Sequence, residues 1–137
     1  MKSAQVLINA QDWEGAAQMM GLALECALKA AACKALGLAN YPENHSDEKV
    51  RSFFMCHVFE RLLVVSGMSA MFSAAGDKGI FNNWSGFTDS YPGEWVAMRY
   101  NDARYGPFNK VTVEALFKYL YGDTNGIIRV IARKKKW

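Results

Sequence analysis

Apolar residues along this chain recur at intervals of three and four, the spacing of a helix face. Ala17, Met20, Leu24, Ala27, Leu28, Ala31 and Leu38 form the longest such series. It predicts a helix that begins near Trp13, is capped by Asp12 and runs to about Leu36, where Gly37 stops it. Ala, Leu, Met, Glu and Lys dominate it, and all are strong helix formers. A short helix over residues 1–10 precedes it, with Val6, Leu7 and Ile8 apolar. Residues 40–46, with Tyr41-Pro42, read as a loop. Ser46 or Asp47 then opens a third helix. Its apolar face, Phe53, Phe54, Val58, Phe59, Leu62, Leu63 and Val65, ends at Gly67, and the pattern leaves open a kink near Cys56-His57.

Beyond it, residues 69–75 are a short helix at most, 76–79 a turn and 82–90 another short helix. Pro92 suits the first turn of a helix carrying Trp95, Val96 and Met98. Gly106 and Pro107 mark residues 101–109 as an exposed loop. Asn109 or Thr112 caps the last helix, with Glu114 favourably placed near its positive end. That helix carries Val113, Leu116, Phe117, Leu120, Ile127, Ile128 and Ile131, with a weak stretch at Asp123-Thr124-Asn125-Gly126 that can interrupt it. No segment alternates as a strand does. The expectation is one all-α domain over residues 1–137, an up-and-down helical bundle of four to five main helices.

Composition agrees. The chain has 137 residues, 51% hydrophobic and 21% charged, enough apolar material to bury a core without metals or disulfides. The formal net charge is +3, from 16 Lys and Arg against 13 Asp and Glu. Four of those cations are Arg133, Lys134, Lys135 and Lys136; without them the balance is 12 against 13, or −1. The basic character therefore reads as a tail at 133–137 and not as a property of the fold. A body near −1 excludes a general nucleic-acid-binding surface. Any such contact has to be local, and the tail is one candidate, although cations at a helix end also complement its dipole.

No signal peptide and no membrane span stand out, because Gln18, Glu25, Lys29 and Lys34 break the least polar stretch. Cys26, Cys33 and Cys56 are odd in number and form no CxxC, so they read as reduced thiols packed as small hydrophobes, and the cytoplasm is the expected compartment. No zinc spacing, HExxH, P-loop or dinucleotide fingerprint occurs. Neither a metal nor a cofactor is implied.

Three constellations carry possible chemistry. Glu25 and Lys29 are one helical turn apart on an apolar helix, a favourable pair that orients packing or lines a groove. Arg51 and His57 are five residues apart in between, a spacing that suits a proton-transferring imidazole beside a charge-stabilising guanidinium. The plain alternative is a histidine satisfied within the bundle and a solvated arginine. Arg99-Tyr100 and Arg104-Tyr105 repeat a dipeptide, with Trp95 one turn before Arg99. Arginine beside aromatics pairs with phosphate and stacks on bases. The alternative makes Trp95 and Tyr100 core anchors. Asp12 with Glu14, and Asp47 with Glu48, open helices and suit the dipole there.

Four features in order carry a resemblance. They are the helical run Leu24-Glu25-Cys26-Ala27-Leu28-Lys29-Ala30, the Tyr41-Pro42-Glu43 loop, a His-bearing helix from His57 through Leu63 to Ser66-Gly67, and Trp95 with Arg99-Tyr100. The order resembles the HEPN superfamily of small helical domains in prokaryotic toxin–antitoxin and defence systems, from about Trp13 to Arg133. The resemblance implies a bundle that often dimerises and that engages RNA, a nucleotide or a nucleotidyltransferase-like partner protein. Many members are metal-independent ribonucleases with an Arg and a His four to six residues apart on the late helix, completed across a dimer. Here the late helix, from Val111 onward, has no His, and the pair Arg51/His57 lies in the first half. The resemblance therefore matches His57 to the family's His-containing helix and not to its nuclease motif. Together with the arginine–tyrosine repeat, it leads to a binding module acting through Trp95, Arg99, Tyr100, Arg104 and Tyr105. The alternatives are a ribonuclease using His57 with Arg51 or Arg99, and a purely structural dimerisation domain.

Overall fold

The computed structural model describes residues 2–91, 108–122 and 124–136. Every regular element among them is helical: α1 (Lys2–Asn9), α2 (Trp13–Leu36), α3 (Glu48–Phe54), α4 (Phe59–Val65), α5 (Lys78–Ser90), α6 (Lys110–Tyr121) and α7 (Ile127–Lys135), with single 3₁₀ turns at Pro42–Asn44 and Ser69–Phe72. The all-α expectation holds for these residues. The count does not, because seven α-helices stand where four to five main ones were expected.

Helix α2 is the axis. The Asp12 side chain accepts a hydrogen bond from the Gly15 N–H at its start. Gly37 ends it at φ 67°, a left-handed conformation that costs a glycine nothing. Ala16, Ala17, Met20, Leu24, Ala27, Leu28 and Ala31 are buried along it, and α1, α4, α6 and α7 pack on it. Small side chains let them come close. At Gly21 the approach is closest: a Cβ there would lie 1.9 Å from the Tyr91 hydroxyl oxygen. Phe59, Phe87, Tyr91 and Phe108 form an aromatic cluster within the same core.

The third predicted helix is two helices. Residues 55–58 leave the helical path, and His57 sits in this connector and not on a helix. The Cys56 Sγ accepts from the Val58 N–H at 3.3 Å, a local bond that replaces a helical one. Asp47, not Ser46, caps α3, accepting from the N–H groups of Lys49 and Val50. The last predicted helix is also two, separated at the weak stretch before Gly126. Asn109 caps α6 through the Thr112 N–H, while Glu114 faces Lys110 at 3.9 Å in the open.

Helix α4 begins beside the middle of α2 and ends beside its C-terminus. His57, just before α4, bonds Glu25; Ser66, just after it, bonds Lys135, whose own carbonyl receives Lys34. Over this stretch α2 and α4 run in the same direction. The segment joining them is a crossover, and the pair departs from simple up-and-down order. The cations at 133–135 form the last turn of α7, as the helix-end reading of this run has them, and Lys136 is its cap.

Candidate functional site

Glu25 lies in the middle of α2, where burial of the surrounding alanines and leucines leaves it only 5% exposed. A carboxylate in such a place needs charged or hydrogen-bonding partners. It has two. The Lys29 Nζ lies 2.9 Å from Oε1, one turn along the helix. The His57 Nδ1 lies 2.9 Å from the same oxygen. A carboxylate only accepts, so His57 carries its proton on Nδ1 in this bond. The Lys29 ammonium also stands 5.1 Å from the centre of the Tyr41 ring, and Tyr41 meets Phe54 edge to face at 5.5 Å. The pair expected from spacing is thus part of a four-residue network, Glu25, Lys29, His57 and Tyr41, joining α2, the α3–α4 connector and the loop after α2.

Behind this network stands the Tyr91 hydroxyl, wholly buried and, among the described residues, without a hydrogen-bond partner. Its pKa is pushed well above the usual value of 10.0, first by burial and then by the Glu25 charge. In front of the network is an open groove of about 590 Å³ lined by Cys26, Lys29, Cys33, Lys34, Asn40 and Tyr41 among others. Burial raises the Cys33 thiol above its usual pKa of 9.0. A second open hollow, of about 710 Å³, runs over Leu38–His45, where the His45 Nδ1 accepts from the Asp47 N–H.

The three thiols differ from the expectation of uniform packing. Only Cys56 is buried, in the connector; Cys33 is half-buried and Cys26 is exposed, and all three are free. Arg51 lies in the last turn of α3, partly exposed. Among the described residues its side chain makes no hydrogen bond or ion pair, and nothing joins it to His57. The other predicted ligand-binding residues, Trp95, Arg99, Tyr100, Arg104 and Tyr105, lie outside the described residues. No group of three or more His, Cys, Asp or Glu gathers as a metal site requires among the described residues, and none of their helices is long and apolar enough to cross a membrane.

Two features escaped sequence reasoning. His57 as the second partner of Glu25 has no local signal, since the two are 32 positions apart. The link of Lys34 to Lys135 spans 101 positions, and that of Lys135 to Ser66 spans 69. Compared with family models, curated proteins and solved structures, the chain matches none.

Proposed function

We propose that this chain is a HEPN-like binding module, not a nuclease, that engages RNA, a nucleotide or a nucleotidyltransferase-like partner protein as a homodimer. One observation carries the preference for binding over catalysis: His57 is held by the buried Glu25 carboxylate, which also holds Lys29, while Arg51 is not joined to it. A histidine committed to satisfying a buried charge serves the packing of α4 on α2. A ribonuclease of the family type needs its arginine and histidine on one phosphoryl group. The groove in front of the network, with Lys29, Lys34 and Asn40 on its walls, supports a ligand with anionic and polar groups. The repeated arginine–tyrosine dipeptide adds Trp95, Arg99, Tyr100, Arg104 and Tyr105 to the binding surface.

Incubation of the purified protein with total RNA, with and without EDTA, tests this reading. The expected result is intact RNA in both, with RNA retained at low salt and released by Arg99→Ala/Arg104→Ala. RNA left both intact and unretained directs the reading to the protein partner. Cleavage that disappears in His57→Ala overturns it.

A further inference from the structure

The C-terminal ends of α2, α4 and α7 meet at one end of the bundle, and a cluster of cations meets there with them. The Lys34 ammonium of α2 donates to the Lys135 carbonyl, and the Lys135 ammonium donates to the Ser66 carbonyl at 2.9 Å. These two bonds tie the three ends into one platform. Arg133, Lys134 and Lys136 stand exposed on it, and among the described residues none of the three makes an ion pair or a side-chain hydrogen bond. Arg129, also exposed, continues the basic surface one turn back along α7.

Complementing helix dipoles does not account for this much charge. A helix C-terminus carries roughly half a negative charge, so three of them offset at most about 1.5 of the five positive charges. Among the described residues, no carboxylate pairs with Arg129, Arg133, Lys134 or Lys136. Residues 61–76 and 124–136 contain none, and between residues 15 and 42 the one carboxylate is Glu25, already held by Lys29 and His57. Six acidic residues, Asp12, Glu14, Asp47, Glu48, Glu60 and Asp77, sit instead at helix beginnings. Five like charges gathered at one end of the bundle repel one another. A polyanion relieves that repulsion.

We infer that this basic end of the bundle is a docking surface for the phosphodiester backbone of a single-stranded nucleic acid. The choice of polyanion rests on two observations. The groove beside the platform shares Lys34 with it, and at about 590 Å³ it has room for an unpaired base next to Asn40 and Tyr41. An anionic bilayer, the other candidate, also attracts clustered lysine and arginine, but its headgroups offer no aromatic base to occupy the groove. This surface is separate from the arginine–tyrosine cluster and does not depend on the family resemblance.

Fluorescence anisotropy with a labelled 20-nucleotide oligo(U) over a salt series is the test. Three to five phosphate contacts give a slope of log K against log salt of about −2 to −3.5. The variant R133Q/K134Q/K136Q removes only exposed, unbonded side chains. It is expected to make the slope shallower by about 2 and to weaken binding at 0.1 M salt about 100-fold. The charge-preserving K134R/K136R keeps the affinity. The variant K110Q/K118Q, which removes two exposed lysines of α6, leaves it within about twofold. Equal loss in K110Q/K118Q, or unchanged binding in the triple variant, overturns the inference. So does binding to phosphatidylserine vesicles without binding to oligo(U), or binding to neither. If Arg99→Ala/Arg104→Ala abolishes oligo(U) binding while the triple variant keeps it, this surface fails and the binding-module reading stands.

Discussion

Tyr91 places a hydroxyl in the core against Gly21, with no hydrogen-bond partner among the described residues. Leaving such a group unsatisfied costs about 1–3 kcal/mol. Tyr91→Phe is therefore expected to leave stability unchanged or raise it by up to about 1 kcal/mol in urea unfolding. The same substitution has a signature in alkali. Burial and the Glu25 charge make the folded protein keep the Tyr91 proton to a higher pH than the unfolded chain does. Above the ordinary value of 10.0 the folded state thus binds more protons, and stability falls as pH rises. Tyr91→Phe is expected to flatten that decline in part, because burial also raises Tyr121. A decline as steep in the variant as in the wild type would assign it elsewhere.

Among the elements, α5 shows how a helix depends on its first turn. Helix α5 starts at Asp77, whose carboxylate accepts from the N–H groups of Gly79 and Ile80 at 2.8 and 3.1 Å. The sequence pattern reads residues 76–79 as a turn and starts the helix four residues late. An N-cap aspartate followed by lysine and glycine shows no apolar periodicity until Ile80. Asp77→Ala is expected to cost about 1 kcal/mol in thermal or urea unfolding, as N-cap removal does. By contrast, the bounds of α2 are legible, because Asp12 and Gly37 are strong local signals at its two ends. The division between α3 and α4 is not. Phe53, Phe54, Val58 and Phe59 keep a helical period straight through residues 55–58, and the chain departs from it where His57 meets Glu25.

At the scale of the molecule, Glu25 is the joint between α2 and the chain that leads into α4. Removing one partner of a buried ion network leaves an uncompensated charge and costs about 3–5 kcal/mol, whereas replacing both partners with apolar residues is close to neutral. Glu25→Ala is expected to fall in the first range. Glu25→Leu/Lys29→Met is expected to recover most of the loss, as read by urea midpoints. Equal losses in the two variants would show that the network contributes nothing beyond the volume of its side chains. The charges at the far end of α4 belong to the same scale. Lys34, Ser66 and Lys135 are distant along the chain and become one platform only when three helix ends converge.

Helical periodicity, caps and the absence of strand patterning were local information, so the all-α class, the span of α2 and the Glu25–Lys29 pair followed from the sequence alone. Pairs four apart on one helix face each other whatever else the chain does. The tertiary structure decided where His57 goes, that α2 and α4 run the same way, and that Lys135 joins the ends of α2 and α4. Each of these depends on groups tens of positions apart coming together to satisfy a buried carboxylate or open main-chain carbonyls. Such demands arise only once the apolar faces have packed and water is gone.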